Sequence, residues 1–258
     1  MDTANWAAFD NADKAFQYPG KKLSSAWPTL HRGDTEPLPD DERLLDAWRH
    51  FHAGDFAGAV ELAESIGLEA HAVANKASGI YADYLEEDEA TKVAIYQSGI
   101  ERAEQAIQRW DQDANAHYFH AFLLGRYSQS ISITQALAQG IGGKVRESLE
   151  NALSLSPEHA EAHTALGLYH AEIINKVGKM VGKLTYGASA DKALEHFERA
   201  LELTPEAPIA HLEYGNGLYL LFGDKRLDES NAAYEKAAAI KPIDAMQKLD
   251  VEYARASV

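Results

Sequence analysis

The dipeptide Ala-His recurs at Ala70-His71, Ala116-His117, Ala162-His163 and Ala210-His211, at spacings of 46, 46 and 48 residues. A fixed internal period of this size means stacked supersecondary units, because a single unit cannot bury its apolar face without a neighbour. Each Ala-His pair opens a helical pattern, and amphipathic helices run over 145–155 and 191–203, upstream of the last two pairs, and over 231–240 near the end of the chain. In the second of these, Ala193, Leu194, Phe197, Ala200, Leu201 and Leu203 recur at spacings of three and four, while Glu195 and Arg199 fall outside the stripe. Ser156-Pro157-Glu158 and Thr204-Pro205-Glu206 read as helix starts: a capping hydroxyl, proline at the first helical position, and an acid near the positive dipole end. No segment shows the sustained alternation of a strand, so the expected fold class is all-α.

Ala193, Phe197, Ala200 and Pro205, with Leu166-Gly167 and Gly215 one helix earlier in their units, form a pattern that resembles the tetratricopeptide repeat. Tyr234, Ala237 and Pro242 repeat it late in the chain, and Leu149, Ala152 and Pro157 repeat it earlier. Gly54-Asp55-Phe56 with Ala59 and Ala63 resembles a first unit near residues 41–67. The resemblance implies a solenoid of about five helical hairpins over residues 41–242, with no domain boundary inside residues 41–258. Residues 1–40 lack the repeat: Trp6, Phe9 and Phe16 suit a short amphipathic helix, and Pro19 to Pro39 reads as an irregular strap over the first unit. Ala245, Leu249 and Tyr253 lie four apart on an expected capping helix within residues 243–258.

Two consecutive units exceed the usual length of about 34 residues. The surplus lies in Phe122–Arg146 and Ile173–Ala190, between the first and second helices of each unit. Leu166, Tyr169, Ile173, Val177, Met180 and Leu184 keep one apolar face into the second insertion. The spacing therefore predicts elongated first helices, a 25-residue helix reaching about 37 Å at 1.5 Å per residue. The run Ala116-His117-Tyr118-Phe119, Gly125, Ser130-Ile131, Gly140-Ile141, the helix from Val145 to Pro157, and Tyr186-Gly187-Ala188-Ser189 leading into Ala193 and Phe197 carry a more specific resemblance. Over roughly residues 70–242 the chain is similar to the regulator of microtubule dynamics family and to the periplasmic tetratricopeptide lipoproteins of TRAP transporters. The chain has no cysteine, the residue on which such a lipoprotein carries its lipid.

Net charge is −16, yet the two insertions contain no acid and six bases: Arg126, Lys144, Arg146, Lys176, Lys179 and Lys183. The insertions carry +6 and the remaining residues −22, so charge is segregated. Apolar and basic side chains together predict a positively rimmed groove between the insertions, for an acidic peptide, an anionic amphiphile or a membrane surface. The positions at which a chaperone-tail receptor clamps a carboxylate hold Tyr118, Thr164, Leu212, Phe122, Leu168 and Asn216. Only Asn216 fits that role, and with Tyr214 and Tyr219 the face is apolar and aromatic, suited to an extended peptide or lipid-like ligand.

Other chemistries find little footing. The acidic balance disfavours nucleic acid, and no apolar run approaches the roughly 20 residues of a membrane span, leaving peripheral membrane contact at most. The absence of an apolar leader reads as cytoplasmic, or periplasmic if a signal segment was removed. His159 and His163 lie four apart, but no third metal ligand is identifiable, and the repeat-marking histidines read as packing residues. Gly140-Ile141-Gly142-Gly143-Lys144 lacks the first glycine and the final Ser or Thr of a phosphate loop. No nucleophile elbow or carboxylate dyad appears. The sequence therefore points to a non-enzymatic, cofactor-free protein-binding adaptor or scaffold. The alternative is a carrier holding an apolar or anionic small ligand between the long helices.

Overall fold

The structure is a computed structural model that describes residues 3–9 and 13–257, and every regular element among them is a helix. After a 3-10 turn at Lys14–Gln17, fourteen α-helices follow. They are α1 (Lys21–Leu30), α2 (Glu42–Ala53), α3 (Phe56–Ile66), α4 (His71–Tyr84), α5 (Glu89–Arg109), α6 (Ala114–Gln129), α7 (Ile133–Ala138), α8 (Ile141–Leu155), α9 (Ala160–Val177), α10 (Lys179–Tyr186), α11 (Ala190–Leu203), α12 (Pro208–Phe222), α13 (Leu227–Ala239) and α14 (Ala245–Ser257). Within the units α2 packs on α3, α4 on α5, α9 on α11 and α12 on α13, and α14 is the last helix.

The chain forms two compact units. One comprises residues 1–31, 36–141 and 243–246, the other residues 32–35, 142–242 and 247–258. In the first unit, α4 is buried from His71 to Ala82. Close packing there depends on small residues: a Cβ at Gly79 would sit 2.4 Å from the Phe122 ring, and one at Gly99 would sit 2.6 Å from Leu123. In the second unit, Phe197 of α11 is fully buried between Gly167 of α9 and Gly217 of α12, with Ala171, Ile174, Ala188, Ala193 and Leu221 around it. A second cluster joins Leu212 of α12, Ala237 of α13 and Ala254 of α14.

The repeat-marking histidines do more than pack. In three units the imidazole Nε2–H donates to the carbonyl six residues earlier: His117 to Asp111 (2.9 Å), His163 to Pro157 (3.1 Å) and His211 to Pro205 (2.9 Å). Each bond ties the turn before a hairpin to the first turn of its leading helix. In the fourth, His71 Nε2 pairs with the Asp113 carboxylate at 2.9 Å, and Asp113 also caps α6 by accepting from the Ala116 N–H. Replacing His211 with Phe keeps the ring and removes the bond. Urea denaturation of that variant should show a loss of about 0.5–1.5 kcal/mol, the usual net value of one hydrogen bond.

Several expectations are corrected. Helix α9 begins at Ala160, not at Pro157, and its cap is His159, whose Nδ1 accepts from the Ala162 N–H at 3.0 Å. Helix α12 begins at Pro208, and Thr204 instead ends α11, its hydroxyl donating to the Ala200 carbonyl. Ser-Pro-Glu and Thr-Pro-Glu therefore lie in turns, where the Pro157 and Pro205 carbonyls serve the histidines. The strap contains helix α1 despite Pro28, because Leu23 and Trp27 bury one stripe and Trp27 stacks edge-on against Trp48 of α2 at 5.9 Å. No helix runs from Trp6 to Phe16: Trp6 lies in an irregular segment stacked on Tyr81 at 4.0 Å, only Phe16 is in the 3-10 turn, and residues 10–12 lie outside the described residues.

The elongated first helices are also replaced. Helix α6 stops at Gln129 and α9 at Val177, and each insertion folds as a separate short helix, α7 or α10. Gly178, at φ 81°, breaks the second run, and a Ser132–Gln135 capping box starts α7 afresh. Gly140, at φ 64°, turns the chain into α8, so the glycine-rich segment is a helix junction.

Candidate interaction surface

In the first unit, Tyr118, Phe122 and Arg126 follow one another at four-residue spacing on α6 and form one stripe. The Tyr118 and Phe122 rings lie nearly parallel at 6.2 Å, and the Arg126 guanidinium sits 5.6 Å from the Phe122 centroid. Arg126 Nε is 2.7 Å from one oxygen of Asp83, and the other oxygen accepts from the Tyr96 hydroxyl at 2.7 Å. Burial raises the Asp83 carboxyl above its ordinary value, against the pull of Arg126. Burial, then the neighbouring carboxylate, likewise pushes the Tyr96 phenol up. The Arg126 charge is thus balanced inside the unit. Asp83 and Tyr96 were not legible in the sequence, since nothing in a helical period marks a carboxylate that meets an arginine forty-three residues later.

The first insertion continues into α7, where Ile133 and Leu137 are 56% and 51% exposed. In the second unit, α10 turns back on the end of α9: a Cβ at Gly182 would sit 3.4 Å from Ile173, and Gly182 is the one buried residue of α10. The Tyr186 carbonyl at the end of α10 accepts from the Tyr169 hydroxyl (3.2 Å) and from Arg146 Nη1 (3.3 Å). The Ala188 N–H returns to the Gly182 carbonyl at 3.0 Å. Burial pushes the Tyr169 phenol up to about 12, with Arg146 acting in the opposite sense, so it remains a hydrogen-bond donor. The insertion is therefore a pinned platform, not a loose loop.

The side chains on this platform point outward. Leu184 is 81% exposed, Met180 74% and Val181 46%, while Lys179 and Lys183 are exposed as well. Lys176 lies on α9 and pairs with Glu172, and Arg146 pairs with Glu150 at 2.8 Å. Lys144, Lys179 and Lys183 form no ion pair among the described residues. The break at Gly178 separates Lys176, on α9, from the helix that holds Lys179 and Lys183. On α12, Tyr214 is half-buried edge-on against Phe197 at 5.9 Å, and Tyr219 is 53% exposed.

A cluster that the sequence reading passed over lies between α9 and α11. His163 donates from Nε2 to Pro157, which leaves its neutral Nδ1 free to accept from the Nδ1–H of His196 at 2.9 Å. The ring of His170 stacks on His196 at 6.0 Å. Burial, then the adjacent imidazole, lowers His170 and His196 to about 4. The seven-residue step from His163 to His170 on a single helix face was the available signal.

No group of three His, Cys, Asp or Glu among the described residues is arranged to hold a metal ion, and no helix there is long and apolar enough to cross a membrane. Helical pairs joined by short turns, packed through small residues and carrying exposed apolar and aromatic side chains, define a tetratricopeptide-type repeat protein of the solenoid class. The profile of the regulator of microtubule dynamics protein 1-3 family matches residues 58–252, and the chain belongs to that family. It is 31% identical to regulator of microtubule dynamics protein 3 of Xenopus laevis over 125 residues, which is 46% of this chain and 27% of that protein. It is 29% identical to the Bos taurus protein of the same name over 133 residues, 48% of this chain and 28% of that one. These matches span little more than a quarter of the relatives' length. Among solved structures, a thermophilic TPR protein of Thermus thermophilus superposes with a TM-score of 0.60 at 19% identity, covering 83% of this chain and 98% of that one.

Proposed function

We propose that this chain is a non-enzymatic adaptor that binds a protein partner through exposed apolar and aromatic side chains on α7 and on α12. Family and fold support a protein-interaction role, and one observation carries the reading further. Nine large apolar side chains are exposed among the described residues, and five of them, Ile133, Leu137, Met180, Val181 and Leu184, sit on α7 and α10. Their exposed apolar side chains are available for contact. Tyr118 is buried and the Phe122 ring packs on Gly79, so the aromatic stripe of α6 faces inward, and Tyr219 on α12 supplies exposed aromatic surface of the class that anchors interfaces. Lys144, Lys179 and Lys183 add exposed cationic side chains in the second unit. The name of the relatives connects them with microtubule dynamics, and on this reading the partner belongs to that system.

The carrier reading required two long helices enclosing a small ligand. In the structure α6 ends at Gln129 and α9 at Val177, so the two long helices are not present. The test is affinity capture with the intact chain and with Ile133→Ser/Leu137→Ser and Tyr219→Ala variants. A defined protein should be retained by the parent and reduced at least about tenfold with the variants, as loss of an interface anchor implies. Equal capture by all three would contradict the reading.

A further inference from the structure

The shape of α10 narrows what it can meet, beyond the protein contacts proposed for the adaptor. It is a convex helix of eight residues, fixed from below by Gly182 and by the Tyr186 carbonyl, with Met180, Val181 and Leu184 projecting into solvent. Met180 and Leu184 are four apart, one turn above the other. Lys179 and Lys183 repeat the same spacing beside them, both exposed and without an ion pair. No acid lies between Ile173 and Ala190. A folded protein partner would need a matching concave pocket to cover such a protrusion. A lipid surface needs none, because acyl chains and headgroups rearrange around an apolar side chain while flanking lysines extend to the phosphates.

We propose that α10 is an interfacial foot that seats Met180, Val181 and Leu184 in the headgroup region of an anionic membrane, with Lys179 and Lys183 contacting lipid phosphates. The chain outside the acid-free segments carries a strongly negative balance, so an anionic bilayer repels it and favours approach by a basic, acid-free segment such as the one that holds α10. Pinning of α10 matters to the mechanism: the helix is already formed, so binding does not also have to order it.

The experiment is vesicle flotation with the intact chain, using phosphatidylcholine vesicles and vesicles of phosphatidylcholine with an equimolar amount of phosphatidylserine. The chain should float with the anionic vesicles and far less with the neutral ones, and added salt should weaken the binding. Lys179→Gln/Lys183→Gln should reduce partitioning roughly tenfold to thirtyfold, from about 1 kcal/mol per lysine near the surface. Met180→Asp/Leu184→Asp should abolish it, while thermal melting stays at the parent value because both positions face solvent. No preference for anionic vesicles, or full binding by either variant, overturns the proposal. So does lysine-dependent binding of a poly-glutamate peptide with no binding to vesicles, which would assign α10 to an acidic protein segment. A failure of flotation leaves the capture experiment on α7 and α12 untouched, so the two readings stand or fall separately.

Discussion

Phe197→Ala should lower the unfolding free energy by about 3–5 kcal/mol, the cost of emptying a packed core site that cannot fully collapse. The ring is fully buried, and its position explains why the site cannot close. It lies between two glycines, Gly167 of α9 and Gly217 of α12, where an added Cβ would stand 2.9 Å and 2.3 Å from ring atoms. Both helices have already approached as far as their backbones allow. The same geometry makes Gly217→Ala destabilising by about 1–3 kcal/mol in the parent, through overpacking against the ring. In the Phe197→Ala background that methyl enters the vacated space, so the double variant should be more stable than the sum of the single losses requires. Urea titrations of the four chains give the coupling energy. Additive losses would mean that the glycines are not what admits the ring.

The second large effect is on pH dependence. His170 and His196 are held near 4, below the ordinary value of 6.5, chiefly by burial. A depressed imidazole means that the unfolded chain binds more protons than the folded one between those two values. Stability is therefore complete above about pH 6.5 and declines as the pH falls toward 4. The slope from the buried His170 is at most about 1.4 kcal/mol per pH unit, and the half-exposed His196 adds less because solvent screens it. His170 Nδ1 is buried with no hydrogen-bond partner, so no acceptor awaits a second proton. A proton on His163 Nδ1 would set it N–H to N–H against His196. Denaturation midpoints measured from about pH 7 down to about pH 4.5 should fall steeply for the parent, and less steeply for His170→Phe, which keeps the stacked ring without the titration. An identical slope in the two chains would remove the cluster as the cause.

How far the sequence could be read depended on which features repeat. The hairpins were legible because each unit solves one problem with the same residues: Ala193, Phe197 and Ala200 on one helix, and Gly167 or Gly215 on its neighbour. The inserted helices were legible only as apolar, basic and acid-free segments. Their breaks rest on single residues: Gly178 stands within an apolar stripe that remains helical in period on both sides, so periodicity alone carries a helix straight through it. Helix starts were misplaced for a related reason. Ser156 and Thr204 have the chemistry of caps, but His159 offers a ring nitrogen three residues later, and the bonds of His163 and His211 to the proline carbonyls hold those prolines in turns. Of the candidate site residues, Lys179 and Lys183 lie exposed on α10. Arg126 is occupied by Asp83, a partner that lies on another helix and leaves no trace in local pattern.

The account turns on the second insertion being a fixed helix that presents apolar side chains, and amide hydrogen exchange in the free chain tests this directly. The N–H groups of Gly182, Gly187 and Ala188, bonded to the carbonyls of Gly178, Lys183 and Gly182, should exchange slowly, well below the rate of an open peptide. Exchange across Lys179–Ala188 at the rate of an unstructured chain would contradict the pinned platform and the contact role built on it.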